Sequence, residues 1–147
     1  MKSKHLTRFI KQCLLLATNS PCPRAQYGAI IVEPNSRRNI SEGWNGAPRG
    51  HYTLCGDSTC TRNDRAIPSG QRTEVGCHHA EANALMNACA QGVSTKGAWI
   101  FVNGAPCLNC AKLIHHADIV CVVKINDPRP SDGLDYLTEH HVAIINA

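Results

Sequence analysis

The sequence predicts an α/β protein in which helices cover a sheet that contains parallel strand pairs. Three observations predict this class. Apolar residues recur at helical spacing from Leu6 to Ala17, which indicates an amphipathic first helix. A strand–turn–strand pattern follows over residues 27–44. The second half then alternates short apolar runs with helical patterns, which is typical of parallel strands joined by helices.

The first half of the chain predicts one helix and one hairpin, followed by a long irregular segment. The helix ends at Asn19-Ser20-Pro21. Tyr27–Glu33 is a β-rich apolar run that predicts a buried strand, and Arg38–Trp44 predicts its antiparallel partner. Residues 45–76 show no periodicity, and so long a loop inside a compact domain needs something to hold it.

The second half predicts three helices and three strands. Gly92 is well placed to end the first of these helices, and Pro106 to begin the second. The nearly continuous apolar run at residues 119–125 is typical of a buried strand. The predicted helices are His79–Gln91, Cys107–Ala117 and Leu134–His140, and the predicted strands are Ala98–Val102, Ile119–Ile125 and Val142–Ile145.

Composition narrows the functional classes. A length of 147 residues predicts one domain, residues 1–147, that needs no disulfides to fold. The net charge of +4 is compatible with an anionic small substrate. Aromatic residues make up only 5% and there is no run of Lys and Arg, so we expect no nucleic-acid partner. The apolar run at 13–17 is too short for a signal peptide and no segment is long enough to span a membrane, so we expect no membrane partner and a cytoplasmic location.

The nine cysteines favour metal binding over disulfides, because their number is odd and a cytosol is reducing. Three of them lie in or at the end of the irregular segment and predict a metal clip: Cys55, Cys60 and Cys77. Three others lie in apolar stretches without a partner at ligand spacing and are expected in the core: Cys13, Cys89 and Cys121.

Two short motifs carry the predicted chemistry. His79-Ala80-Glu81 opens one predicted helix, and Pro106-Cys107-Leu108-Asn109-Cys110 opens the next. Cys107 and Cys110 are three residues apart and share one helix face, and the positive potential at a helix N-terminus favours thiolates. One histidine and two thiolates leave the fourth position of a zinc ion open for water, which is the mark of a catalytic site.

Glu81 indicates which chemistry such a zinc supports. Zinc lowers the pKa of its bound water to about 7, and a nearby carboxylate can accept that proton and return it to a substrate. The pair of motifs H-x-E and P-C-x-x-C is the signature of zinc-dependent base deaminases. The backbone N–H groups of Ala80 and Cys107 are candidate donors to the substrate, since both lie at helix starts. His78 breaks the spacing to Glu81 and is expected only to flank the site.

Two other interpretations stay open. The chain could be a zinc-dependent deaminase of another cytosine nucleoside, of guanine or of a nucleic-acid base. It could also be a non-catalytic, zinc-stabilised binding module, although a structural zinc site has no use for Glu81 or for an open coordination position. Ammonia release separates these interpretations.

The sequence resembles the deoxycytidylate (dCMP) deaminase family, and particularly its phage-like members. The resemblance spans nearly the whole chain. It rests on YGAII at 27–31, GWNGAP at 43–48, the cysteine-bearing insertion at 45–77, HAEANA at 79–84 and PCLNCAKLI at 106–114. It implies a cytidine-deaminase-like three-layer α/β/α fold with a mixed sheet of about five strands.

The same resemblance implies a function and its regulation. Family members convert dCMP to dUMP, which supplies thymidylate synthesis. They are homohexamers that dCTP activates and dTTP inhibits, each triphosphate bound with Mg²⁺ at a separate site. If the chain is phage-encoded, the expected location is the cytoplasm of the host cell.

A second, structural zinc is also implied by the resemblance. The family pattern carries over onto Cys22, Cys55 and Cys77. The remaining family ligand, a histidine, has no clear counterpart here, because the segment before Cys77 is shorter. Cys60 is therefore the expected fourth ligand, and His51 is the alternative.

Contacts to substrate and effectors follow from the resemblance as well. Asn45 is expected to contact the deoxyribose or the base, and Arg24 either contacts a phosphate or is an ordinary solvated arginine. Where the family often places a tyrosine against the base, this chain has Asn126, and Tyr136 is either the replacement or a core aromatic. Glycines let backbone amides approach phosphates closely. The candidate effector-binding residues, whose alternative role is in packing or turns, are Gly28, Gly43 and Gly46.

Overall fold

The computed structural model describes residues 1–47, 55–56, 59–68, 71 and 73–147. Its helices are α1 Ser3–Ala17, α2 Thr61–Asp64, α3 Ala80–Ala90, α4 Leu108–His116 and α5 Asp132–Glu139. Its strands are β1 Gly28–Glu33, β2 Arg38–Trp44, β3 Cys55–Gly56, β4 Thr59–Cys60, β5 Trp99–Val102, β6 Cys121–Lys124 and β7 Ala143–Asn146. Each long element that the hydrophobic periodicity predicts is present.

Five of the strands form one mixed sheet in the order β2-β1-β5-β6-β7. Strand β1 lies at the turning point of the topology, because it pairs antiparallel with both β2 and β5. Strands β5, β6 and β7 are parallel to one another, and helices α4 and α5 connect them. This arrangement confirms the predicted hairpin, the predicted parallel pairs and the mixed five-stranded sheet.

Helices cover both faces of the sheet, which confirms the three-layer architecture. On one face, α1 inserts Phe9 and Cys13 against alternate residues of the central strands, including Ile30 and Phe101. On the other face, α3, α4 and α5 pack on the intervening residues. That second core contains Ala84, Leu85, Ala111, Ile114 and Leu137 from the helices, with Ala29, Ile31, Ile100 and Val122 from the strands.

The ends of the helices follow from local sequence. Gly92 has a φ of 65°, a left-handed conformation suited to glycine, and the N–H of Val93 bonds back to the carbonyl of Ala88 at 3.0 Å. Helix α3 therefore ends where Gly92 predicts. Within the described part of the chain, no helix has both the length and the apolar composition needed to cross a bilayer.

The prediction that all three lone cysteines are core residues is wrong for one of them. Cys13 and Cys121 are buried, but Cys89 is exposed. Cys89 follows Leu85 by four residues on α3, and Leu85 is buried. At the last turn of this helix the side that packs on the sheet is taken by Ala88, so Cys89 lies outside the contact.

Candidate active site

The N-termini of α3 and α4 converge, and three potential metal ligands meet there. His79 immediately precedes α3, Cys107 immediately precedes α4, and Cys110 lies in the first turn of α4. The His79 Nδ1 atom is 3.5 Å from the Sγ atom of Cys107 and 3.5 Å from that of Cys110. The structure thus brings together the three residues that the two motifs predict as ligands of one ion.

These distances fit a tetrahedral zinc ion. With Zn–N near 2.1 Å and Zn–S near 2.3 Å, two ligands at the tetrahedral angle lie about 3.6 Å apart. One imidazole and two thiolates supply three of four positions. His79 is exposed and Cys107 is half-buried, so solvent reaches two of the three potential ligands.

The electrostatics of the site favour a thiolate at Cys107, whereas hydrogen bonding to Cys107 and burial raise the pKa of the Cys110 thiol. Hydrogen bonding from Cys110 lowers the pKa of the Cys107 thiol, and the neighbouring His79 lowers it further. Hydrogen bonding to Cys107 in turn raises the pKa of His79. The N-terminal ends of α3 and α4 add positive potential where the thiolates lie.

Glu81 lies one residue into α3 and is only 6% exposed. Burial raises the pKa of its carboxyl group, while the charge of His79 and a hydrogen bond from the Cys110 side chain partly offset that effect. A buried carboxyl group beside the metal ligands can both accept and return a proton. The structure therefore places an acid–base group next to a potential zinc site.

A second group of cysteines lies next to this site in the chain. The Sγ atoms of Cys22, Cys55 and Cys77 all lie within 4.8 Å of one another. Cys77 precedes His79 by two residues, and the intervening His78 forms a two-way backbone bridge with Gly46. A metal held by these thiolates would fix the segment that delivers His79.

Cys60, the predicted fourth ligand, does not lie among the three cysteines whose Sγ atoms meet. Cys60 is buried and lies directly opposite Cys55 in the β3–β4 hairpin, so the two side chains share one face of the ladder. Its thiol is not among the three that meet. The alternative ligand, His51, lies outside the described residues.

A family model decides the classification. Residues 3–125 match the cytidine and deoxycytidylate deaminase zinc-binding region. The chain belongs to this deaminase family. The match covers both zinc motifs and every strand of the main sheet except the last, β7.

Two relatives match similar shares of this chain but different shares of their own length. It is 39% identical over 119 residues to ComE operon protein 2 of Bacillus subtilis, covering 81% of this chain and 58% of that protein. It is 34% identical over 116 residues to the deoxycytidylate deaminase of Schizosaccharomyces pombe, covering 78% of this chain and 35% of that protein. The chain therefore spans 58% of the length of the first relative and 35% of the length of the second.

The match to solved structures includes a phage enzyme that aligns over the full length of this chain. It is the dCMP deaminase of the cyanophage S-TIM5 in complex with dCMP and dUMP, with a TM-score of 0.82 and 28% identity. The match covers 100% of this chain and 99% of that one. The cytidine-deaminase-like fold of the chain is thus shared from end to end.

Two of the predicted substrate-contact residues, Asn45 and Arg24, make hydrogen bonds to the backbone of the protein itself. Asn45 is buried, its amide oxygen accepts a hydrogen bond from the Tyr27 N–H at 2.7 Å, and its amide nitrogen donates to the Ala25 carbonyl at 2.9 Å. It holds the segment before β1 in place. Arg24 is half-buried and donates to the Ile67 carbonyl at 3.0 Å, which ties the same segment to the insertion. Ala80 is fully buried at the first position of α3, beside Glu81.

Tyr136 does not lie beside the metal ligands. Its hydroxyl is 3.0 Å from Nδ1 of His115, and its ring stacks on His140 at 4.1 Å. His115 is eight residues after Cys107, about 12 Å along the helix axis. Asn126, where the family often has a tyrosine, has a φ of 51°, a left-handed conformation that asparagine tolerates far better than most residues.

Two of the three candidate effector glycines, Gly28 and Gly43, have packing roles. A Cβ atom on Gly28 would lie 2.8 Å from the Cys13 carbonyl oxygen in α1, and one on Gly43 would overlap the backbone of α3 at Ala84. Gly46 pairs with His78. The missing side chains of Gly28 and Gly43 let α1 and α3 approach the first two strands, so packing accounts for these two glycines without an effector, whereas a Cβ atom on Gly46 would make only ordinary contacts with the described residues.

Sequence reasoning missed a charged pair at the end of β6. Asp127 is buried and accepts hydrogen bonds from the Ala105 N–H at 2.8 Å and from Arg129 at 2.7 and 2.8 Å. Hydrogen bonding from Arg129 holds the pKa of the Asp127 carboxyl well below its ordinary value. The sequence signal was an acid and a base on either side of Pro128, directly after a buried strand.

Proposed function

We propose that the protein is a zinc-dependent hydrolase that converts dCMP to dUMP and ammonia. The observation that carries this proposal is the buried Glu81 beside the open ligand set of His79, Cys107 and Cys110. The full-length match to a phage structure that contains dCMP and dUMP supports the choice of substrate. We also propose a cytoplasmic location, in keeping with this chemistry.

The proposed mechanism assigns metal binding and proton transfer to different residues. His79, Cys107 and Cys110 would hold the zinc, which when bound supplies an activated water as the nucleophile. Glu81 would accept the two protons of that water in turn, passing the first to N3 of the cytosine ring and the second to the departing amino group, which leaves as ammonia. Its burial keeps competing bulk water away and raises the pKa of its carboxyl group, which favours the protonated form that carries each proton to the substrate.

The substrate panel dCMP, CMP and deoxycytidine tests this proposal through ammonia release. We expect release from dCMP above all, and none after zinc is removed with a chelator. Release from deoxycytidine with no preference for dCMP would favour a nucleoside deaminase. No release from any of the three, from fully folded and zinc-loaded protein, would favour a guanine or nucleic-acid deaminase or a binding module.

We further propose a structural zinc at Cys22, Cys55 and Cys77, with Cys60 as the fourth ligand. A closed set of thiolates is typical of structural zinc. The position of Cys60 opposite Cys55 supports this assignment, because its thiol shares the face of the hairpin on which the Cys55 thiol lies. Such a zinc would hold residues 45–77, whose hairpin has only two residues in each strand.

Regulation by nucleotides is proposed from the family resemblance alone. We propose a homohexamer that dCTP with Mg²⁺ activates and dTTP inhibits, in a route that supplies thymidylate. Allostery requires reciprocal coupling between two sites. We therefore expect dCTP to lower the half-saturating dCMP concentration, and dCMP to tighten dCTP binding. If the protein sediments as a monomer and its dCMP kinetics are hyperbolic and unchanged by dCTP or dTTP, the regulatory part of the proposal is wrong and the catalytic part still stands.

A further inference from the structure

The loop after β6 folds over the residues that lead into the zinc ligand Cys107. The Asp127 carboxylate accepts from the Ala105 N–H at 2.8 Å, and the Ser131 hydroxyl donates to the Pro106 carbonyl at 2.8 Å. Arg129 lies between these two anchors. Two residues span at most about 7 Å, so both anchors lie close to Cys107. The loop is therefore fixed at the edge of the candidate active site.

The guanidinium of Arg129 is held in a fixed orientation and keeps a hydrogen-bond donor available. Its Nε and Nη2 atoms bind the two oxygens of Asp127 at 2.8 and 2.7 Å, and Nη2 also donates to the Tyr27 hydroxyl at 3.4 Å. None of the described residues accepts a hydrogen bond from Nη1. The Asp127 side chain is 5% exposed, whereas that of Arg129 is 66% exposed. A buried carboxylate thus holds one edge of the guanidinium and turns the other edge toward solvent.

We propose that Arg129 is the residue that recognises the 5′-phosphate of the substrate and so distinguishes a nucleotide from a nucleoside. This inference rests on the proposed function. Guanidinium groups suit phosphate because they offer parallel N–H donors in a fixed plane. Orientation by Asp127 means that little side-chain entropy is lost when the phosphate binds.

Arg24, the arginine that the sequence suggested for this role, is less suited to it. It is half-buried and its Nη1 atom already donates to the Ile67 carbonyl. Tyr27 adds to the case for Arg129, because its ring lies over Gly104, in the loop before Cys107, and its hydroxyl contacts the guanidinium. One side of the site is thus built from Tyr27, Arg129 and the loop before α4.

The test compares Arg129→Gln with Arg24→Gln and with Arg38→Gln, an exposed control on β2 opposite Glu33. We expect Arg129→Gln to raise KM for dCMP by about tenfold to a hundredfold, the usual value of a hydrogen bond to a charged group. The kcat for dCMP and the kcat/KM for deoxycytidine should stay within about threefold, because the phosphate does not react. Arg129→Lys should recover part of the loss.

Thermal stabilisation by the reaction products tests phosphate recognition independently of turnover. Thermal stabilisation by dUMP should fall in Arg129→Gln, while stabilisation by deoxyuridine should not change. If wild-type protein neither deaminates dCMP nor binds dUMP, the proposed function and this inference both fail. Three outcomes with active wild-type protein would show that only the role of Arg129 is wrong. Arg129→Gln could behave like Arg38→Gln, or it could impair deamination of dCMP and deoxycytidine equally. Alternatively, Arg24→Gln alone could show the rise in KM for dCMP.

Discussion

Gly43→Ala should destabilise the protein, because β2 and α3 are in backbone contact at this glycine. A Cβ atom at position 43 would overlap the Ala84 nitrogen, and would lie 2.7 Å from the Ala80 carbonyl oxygen and 2.9 Å from the Asn83 carbonyl carbon. The helix cannot easily retreat. The Ser41 hydroxyl donates to the Ala84 carbonyl at 2.6 Å, and the Asn83 side chain donates to the Trp44 carbonyl at 2.7 Å.

The size of the effect follows from these contacts. Overpacking costs about 1–3 kcal/mol, and a clash with three backbone atoms belongs near the upper end of that range. In a chain of this size each kcal/mol lowers Tm by about 2–4 °C, so we expect a loss of about 6–12 °C. Activity should fall as well, because α3 carries Glu81 and directly follows His79.

Gly46→Ala is the matched control for thermal unfolding of zinc-loaded protein. Among the residues that the structure describes, a Cβ atom there would meet the ring of Pro21, at 3.4 Å, and the side chain of Trp44, at 4.0 Å, both ordinary contacts. We expect its Tm to stay within about 2 °C of the wild-type value. If Gly43→Ala melted like Gly46→Ala but lost its response to dCTP, the packing account would be wrong and the effector role of Gly43 would be supported.

Three further changes test the metal sites and the charged pair. Cys55→Ser should lower Tm more than Cys110→Ser, and elemental analysis should find two zinc ions in the wild type, one for each ligand group, but one in Cys55→Ser. Cys60→Ser should speed loss of one zinc to a chelator without affecting the other. Asp127→Asn should lower Tm at pH 7, because the lowered pKa of Asp127 stabilises the fold wherever the carboxylate is charged. That difference from wild type should shrink in melts as pH falls below about 4, the ordinary pKa of aspartate.

Each of these predictions has an outcome that contradicts it. A single zinc in fully folded wild-type protein would remove the structural site. Equal chelator kinetics in wild type and Cys60→Ser would exclude Cys60 as a ligand. A Tm difference for Asp127→Asn that stays constant from pH 7 to pH 3 would mean that ionisation of this carboxyl is not the source of the stabilisation.

The elements that the sequence predicts correctly are those with a local signal. Helix α1 shows its helical period and strand β1 its continuous apolar run within a short stretch of sequence, and the strand–helix alternation of the second half implies the parallel pairs. The insertion carries no such signal, since β3 and β4 have two residues each and α2 has four. Such short elements depend on contacts between distant residues rather than on periodicity.

The same distinction separates the parts of the candidate site. His79, Cys107 and Cys110 meet because each lies at the start of a helix, which the motif spacing already implies. The role of Arg129 depends on how the loop after β6 returns over the loop before α4, and no pattern within either loop encodes that contact. The packing of Gly43 likewise depends on where α3 lies on the sheet.

Glu81→Gln, compared with wild type at equal zinc content, is the most direct test of the central claim. The substitution keeps the size and position of the side chain and leaves His79, Cys107 and Cys110 unchanged, but it removes the group that carries the proton. We predict that zinc content and Tm stay close to the wild-type values while ammonia release from dCMP falls by about a hundredfold or more. Ammonia release at a near wild-type rate from zinc-loaded Glu81→Gln would contradict the account.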